Sequence, residues 1–276
     1  MTITATLPHR QTPTTIAAPA ARATAIATAA LMLALMPSTL LALLIDARTF
    51  NGAPLWLKPL HFELALALNF ATLALLLPLL IPAWRQSRTV RWSMLAGGFS
   101  AVLEIVWIAG EAALGRGSHF NVATQLETAL YPLAGAGSLL IVLSSGILGY
   151  GLWRSPALPG SAHMHRGATL GLLLGSIVTL IVAGYMSAGH GHLVGGPQTD
   201  AFGLPFLGWA TRGGDLRVPH FFATHAMQAL PIAGLVADRL GWLRASWLMP
   251  AAAGLYFAGV LAVFAEAVMG LPFIAG

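Results

Sequence analysis

The chain of 276 residues contains no cysteine, which excludes disulfides, thiolate metal sites, iron–sulfur clusters and thiol redox chemistry together. Any bound metal must be held by His, Asp or Glu. Charge is nearly as scarce: Asp, Glu, Lys and Arg make up 8% of the residues, against roughly 25% in an average soluble domain. Also missing are a Walker-type phosphate loop, a GxSxG elbow, an HExxH helix and a DxDG calcium loop. The last apolar run has no lysine, so a retinal Schiff base is excluded.

What fills the chain instead is apolar surface: hydrophobic residues make up 57% and the mean hydropathy is +0.77. Several apolar runs reach about twenty residues, the length that crosses roughly 30 Å of hydrocarbon at 1.5 Å per residue. The sequence predicts an all-α integral membrane protein, a bundle of about seven transmembrane helices, at Thr24 to Ile45 and at about 59–83, 91–113, 125–152, 167–188, 217–237 and 246–271. Residues 1–22 mix Thr, Ala, Pro and Arg without an acid and read as a disordered tail, which leaves 23–276 as a single transmembrane domain. The first run is too long for a signal-peptide core and counts as a span. Pro37, Pro78, Pro132 and Pro231 fall inside spans, where neighbouring groups satisfy the carbonyls that proline frees.

A net charge of +5 and a pI near 10.4 would suit nucleic acid, but the cations occupy short segments between apolar runs, where topology signals belong, so no nucleic-acid partner is expected. With the N-terminus cytoplasmic, the inner side holds Arg10, Arg22, Arg85, Arg88, Arg91, Arg154, Arg166, Arg239 and Arg244, and the outer side Arg48, Lys58, Arg116, Arg212 and Arg217. Trp84, Trp92, Trp153, Trp242 and Trp247 fall at the inner ends, as an interfacial belt would. The expected place is the inner or plasma membrane, with the C-terminus extracytoplasmic. This direction puts His61, His119, His190, His192, His220 and His225 at the outer face, together with every acid except Asp238. Acids contribute little to topology, so their crowding with histidine points to an extracytoplasmic working face.

Three even-numbered spans begin with a His-Phe pair, at His61, His119 and His220. HFNVATQLETALYPLAG at 119–135 and HFFATHAMQALPIAG at 220–234 share HF, AT, AL, a proline and AG, which suggests an internal helix-hairpin repeat with its site where the repeats meet. A helix N-terminus disfavours imidazolium and keeps His neutral, the form that ligates haem iron or zinc. The same N–H groups attract anions. His119 and His220 form the expected ligand pair, with Arg116 and Arg217 placed to clamp carboxylates. His225 and His192 are reserves, and His163 and His165, at the inner end, are expected to play no part.

Each candidate has a plainer reading. His220 and His225 can be satisfied histidines at a wet helix end, and His190 and His192 solvated loop residues. Glu104 and Glu111 lie seven apart on one face of the third span, and Glu266 lies in the seventh; an acid in hydrocarbon costs on the order of 2–3 kcal/mol, so these three are the candidate catalytic acids. Thr124-Gln-Leu-Glu127 fits a capping box, Asp215 can cap the sixth span, and Lys58 beside Trp56 reads as an interface anchor. Arg116, within RGSHFN, is an anchor or an anion clamp.

The loop at 189–216 carries many glycines and an apolar strip of Phe202, Leu204, Phe206, Leu207 and Trp209, and reads as a lid over an outer cavity. Histidines at outer helix ends beneath a Gly/Pro/Trp loop give a layout similar to that of haem A synthase, although that family's eight spans and Glu-x3-His element are not present. The first expectation is a membrane oxidoreductase binding b-type haem or another His-ligated metal, with a quinone, a lipid or a small envelope molecule as partner. The second is a zinc-type hydrolase acting on lipid or envelope substrate, with Glu104 or Glu111 as base. The third is a metal-free transporter or anion binder using Arg116, Arg212 and Arg217.

Overall fold

The computed structural model describes residues 20–121, 123–189, 191–242 and 245–276; the tail expected at 1–22 lies almost wholly outside them. The long helices are α1 (Ala20–Ile45), α2 (Leu57–Leu76, continued as a 3-10 turn to Leu79), α4 (Arg88–Ala113), α5 (Gln125–Trp153), α6 (Ala162–Ala188), α7 (Arg217–Arg239) and α8 (Leu248–Val268), with a one-turn α3 (Pro82–Arg85) at the corner where Pro78 and Pro82 break the second apolar run. All but α7 and α3 are long and apolar enough to cross a membrane. Six such helices make this an all-α, multi-pass membrane bundle. The expected count of seven spans depends on α7, which has the length but carries Arg217, His220, His225, Gln228, Asp238 and Arg239.

Burial agrees with a lipid solvent. Leu44, Leu75, Phe99, Val106, Leu133 and Leu255 point outward, while Asn69, Thr72, Ser100, Ser144, Ser145, Thr169 and Thr179 are buried between helices. Lipid rewards this arrangement, because small residues let backbones approach and polar ones find partners only inside. Thr39 donates to Glu63 Oε1 at 2.6 Å between α1 and α2, and Gln228 donates to Thr72 Oγ1 at 2.9 Å between α7 and α2.

The closest seam is α6 against α7. Gly167, Gly171 and Gly175 repeat every four residues on α6, and a Cβ at the first two would overlap the carbonyls of Leu230 and Ala226. Gly234 on α7 faces the His163 carbonyl just as tightly. α7 thus runs antiparallel along the full length of α6 and enters the bundle from the same end as α2.

At the tryptophan-rich end this seam is stapled. Asp238 accepts from the backbone N–H groups of His163 and Met164 at 3.0 and 2.8 Å and contacts His163 Nδ1 at 2.9 Å, while His163 Nε2 reaches the Ala245 carbonyl. His163 is fully buried, and His165 Nε2 holds the Leu152 carbonyl at 2.9 Å. These two histidines, expected to play no part in holding a cofactor, have a structural role: they tie α6 to α5, to α7 and to the segment ahead of α8.

The opposite end carries the loops. β1 (Thr49–Phe50) and β2 (Ala53–Pro54) form a small hairpin, and β3 (Leu193–Val194) pairs with β4 (Gly214–Asp215), closing residues 193–215 into a loop. The Asp200 N–H and the Thr199 hydroxyl both donate to the Asn51 carbonyl at 2.9 Å, and Trp209 packs on Phe222 and Phe273. Residues 193–215, within the segment expected to act as a lid, are thus tied to the first hairpin, to α7 and to the C-terminal tail.

The His-Phe repeat does not survive as a structural equivalence. Thr124 is the N-cap of α5, whereas Thr224 lies two turns inside α7. His61 and His220 sit in the first turns of α2 and α7, but His119 lies in a loop six residues ahead of α5. An Ala- and Leu-rich composition produced the match without a shared fold.

Candidate functional site

The loop after α4 folds back into the bundle. Gly115 turns it with φ of 76°, the Trp107 indole N–H donates to the Ser118 carbonyl at 3.0 Å, and Asn121 Nδ2 donates to the Gly117 carbonyl at 2.8 Å. These ties place His119 inward, its Nε2 2.9 Å from Glu104 Oε1 and its Nδ1 3.1 Å from Ser118 Oγ. Glu104 is 3% exposed and lies more than two turns below the end of α4. The Phe62 ring stands 5.5 Å from the imidazole. Burial pushes the His119 imidazole below its ordinary value and the Lys58 ammonium pushes the same way, against the attraction of Glu104. Both of the leading influences favour the neutral imidazole.

Arg116 faces away from this group. It lies 3.1 Å from Glu111 and 3.4 Å from Glu127, and Glu127 also completes the capping box with Thr124. Glu111 and Glu104 share a helix face, but Glu111 belongs to this structural cluster joining α4 to α5.

The lid is latched by Arg217. Its guanidinium donates to the Gly208 carbonyl at 2.6 Å and to Asp215 Oδ2 at 2.7 Å, and lies 2.9 Å from Asp200 Oδ1. Asp215 caps the start of α7, as expected, by accepting from the Arg217 N–H, and it also accepts from the Ala210 N–H. His192 Nε2 meets Asp200 at 3.0 Å. Burial alone would raise the Asp200 carboxyl; the His192 hydrogen bond and the Arg217 charge overcome it and hold it at about 2.

Between loop and lid stand the first turns of α2 and α7. His61 Nε2 and His220 Nδ1 are buried and meet no hydrogen-bond partner among the described residues, and the His61 ring rests edge-on at Phe206 of the lid. His225 is held by Gln228 at 3.2 Å and by the Phe221 ring at 4.2 Å. Thr72 lies eleven residues past His61 and Gln228 eight past His220, so their hydrogen bond sets the two histidines at the same depth to within about 4 Å. Lys58 lies within electrostatic reach of Glu104, His119, Arg217 and Asp200.

Of the expected residues, Glu104 meets His119, His192 meets Asp200, which Arg217 also reaches, and His220 and His225 follow one another on α7; Lys58 lies within electrostatic reach of the first two groups. Glu266 is exposed on α8 and pairs with no described residue, and His190 lies outside the described residues. The expected pairing of His119 with His220 meets an obstacle: both ring nitrogens of His119 are engaged within the chain, and both clamp arginines are occupied by carboxylates. His61 and His220 each keep a buried ring nitrogen without a hydrogen-bond partner among the described residues. No group of three or more His, Asp and Glu residues gathers as a metal cage among the described residues. Sequence reasoning read Lys58 as an interface anchor, counted His61 only in the His-Phe pattern, and gave Ser118, within RGSHFN, no role of its own; the contact of Ser118 with His119 depends on a loop whose inward fold no periodicity encodes. No protein-family model, curated protein or solved structure matches the chain.

Proposed function

We propose that the chain is a seven-span protein of the cell membrane with its lidded end outside, and that beneath the lid it hydrolyses an ester-bearing lipid or small envelope molecule, with His119 as general base positioned by Glu104. The observation that carries this is the His119 geometry: a half-buried imidazole with one nitrogen 2.9 Å from a carboxylate oxygen and the other 3.1 Å from a hydroxyl, the arrangement general-base catalysis needs. The orientation is supported by charge. The N-terminal tail and the tryptophan-rich end carry nine of the fourteen Lys and Arg residues and the lidded end five, the bias that keeps the former side cytoplasmic. The lipid preference is supported by an apolar groove of about 210 Å³ lined by Phe222, Tyr256, Gly259, Val260, Val263 and Phe273, joined through Phe222, Phe221 and His225 to the polar site.

Hydrolysis is tested with the full-length protein in phospholipid vesicles, by following fatty-acid release. His119→Ala should lower the rate by about 10²-fold or more; equal release from empty vesicles retires the reading. A C-terminal alkaline phosphatase fusion should be active if the lidded end is outside, and an inactive one would reverse the orientation.

The free nitrogens of His61 and His220 favour a second reading, axial ligation of a b-type haem or another His-bound metal. A Soret band in the purified protein, lost in His220→Ala and kept in His119→Ala, would select it over hydrolysis.

A further inference from the structure

We propose that Ser118 is a covalent nucleophile, activated by His119 and Glu104, which takes the acyl group of a carboxylic ester whose chain lies in the membrane. This rests on the hydrolytic reading above and goes beyond it, because general-base hydrolysis needs only a water molecule in place of the serine.

The contacts select a tautomer. His119 Nε2 approaches Glu104 Oε1 to 2.9 Å, an ion-pair distance at which that oxygen completes no hydrogen bond; because a carboxylate only accepts, the tautomer with the proton on Nε2 is the one that suits the approach, and Nδ1 is then the acceptor for the Ser118 hydroxyl at 3.1 Å. Base and nucleophile are thus within hydrogen-bond reach and the base is oriented by a third group, which is the general signature of an activated serine. The ring is used in the opposite sense from the familiar triad, with the serine on Nδ1, but the two nitrogens are equivalent for this purpose once the carboxylate has claimed one.

The surroundings supply what the chemistry then requires. Ser118 is held by the Trp107 bond to its carbonyl, so its position does not depend on the hydroxyl. The backbone N–H groups of residues 117–121 donate to nothing among the described residues, and Phe120 adopts a left-handed φ of 58°, a conformation that turns successive N–H groups toward one point and stabilises anions. Lys58 adds a positive charge in reach of His119.

In the step itself Ser118 Oγ bonds to the ester carbonyl carbon as its proton passes to His119 Nδ1. The tetrahedral adduct collapses, the carbon–oxygen bond to the alcohol breaks, and Nδ1–H protonates the departing alkoxide. Water, deprotonated by the same Nδ1, then releases the acid and restores the hydroxyl. Glu104 remains a carboxylate throughout.

The experiment uses the full-length protein in vesicles. An alkyl fluorophosphonate should label Ser118, as read by peptide mass spectrometry, and Ser118→Ala should abolish both labelling and fatty-acid release. Release from Ser118→Ala at the wild-type rate would overturn the nucleophile and leave general-base hydrolysis standing; absence of release from the wild type would remove both. Because the chain has no other thiol, Ser118→Cys gives an independent readout. Its alkylation by iodoacetamide should be half-maximal well below pH 8.5, the value for an ordinary thiol, and at pH 7 about tenfold faster than when combined with Glu104→Gln. A thiol that is inert in the folded protein, or that titrates near pH 8.5 with Glu104 intact, would overturn the proposal.

Discussion

Replacing Arg217 with Ala should unlatch the lid. The guanidinium holds the Gly208 carbonyl, Asp215 and Asp200 from one position at the start of α7, and its loss leaves two carboxylates facing each other without a cation. The side chains of Asp215 and Asp200 are 1% and 14% exposed, but that of Arg217 is 32% exposed. Removing one partner of a buried pair costs roughly 3–5 kcal/mol, and partial solvent access places this case at the lower end, about 3 kcal/mol. Since about 1.4 kcal/mol is a factor of ten, lid amides that exchange by local opening should exchange on the order of a hundredfold faster. The reporters are the Ala210 N–H on Asp215 and the Leu204 N–H on the Trp209 carbonyl, followed by hydrogen-exchange mass spectrometry of the full chain in detergent. Arg212→Ala is the control, because that side chain only stacks over Phe202 at 4.2 Å, a contact worth about 0.5–1 kcal/mol when exposed. Equal acceleration in the two variants, or none with Arg217→Ala, would refute the latch.

Two further outcomes follow from the same contacts. Asp238→Ala removes the acceptor of two backbone N–H groups and of His163 at the buried end of the α6–α7 seam, so it should lower stability by about 3–5 kcal/mol, read as a reduced Tm in detergent, with Asp238→Asn less severe. Asp200 is held at about 2 against an ordinary 3.8; its lowered value means that its stabilisation is fully present above about pH 4 and disappears only as pH falls toward 2, so lid exchange, corrected for intrinsic rate, should show no Asp200-linked step between pH 5 and 8.

The membrane class and six of the seven expected spans were legible because each follows from composition or run length, which lipid makes a strict requirement. Helix caps were legible for a related reason: Thr124 and Glu127, or Asp215 ahead of α7, act within one turn of chain. The site was only half legible. Glu104 announced itself as an acid in hydrocarbon, but its partner comes from a loop whose inward fold is set by the Trp107 and Asn121 bonds, and no periodicity encodes those. The repeat misled because HF, AT and AG recur cheaply in a sequence this rich in Ala and Leu, while helix phase, which decides equivalence, depends on where Thr124 and Leu216 begin their helices.

A membrane bundle changes what an unpartnered polar atom signifies. In water a stray imidazole at a helix end is solvated and uninformative; within an apolar bundle an unsatisfied buried group costs on the order of 1–3 kcal/mol. Most polar side chains at the lidded end avoid that cost, as Arg116 does with Glu111 and Glu127 and Arg217 with Asp200 and Asp215. The buried polar atoms at this end that complete no hydrogen bond among the described residues include His61 Nε2 and His220 Nδ1 and one oxygen each of Glu104, Glu111 and Glu127; the carboxylate oxygens have a cation or an imidazole within 3.4 Å, and the two imidazole nitrogens have no such neighbour among those residues. His119 beside Ser118 is costly in the same sense: its carboxylate partner sits deep in α4, where an acid is tolerated only with a partner to hold it. These costs fall at the same end of the bundle, and places where a fold departs from the cheapest arrangement are where a functional site is sought first.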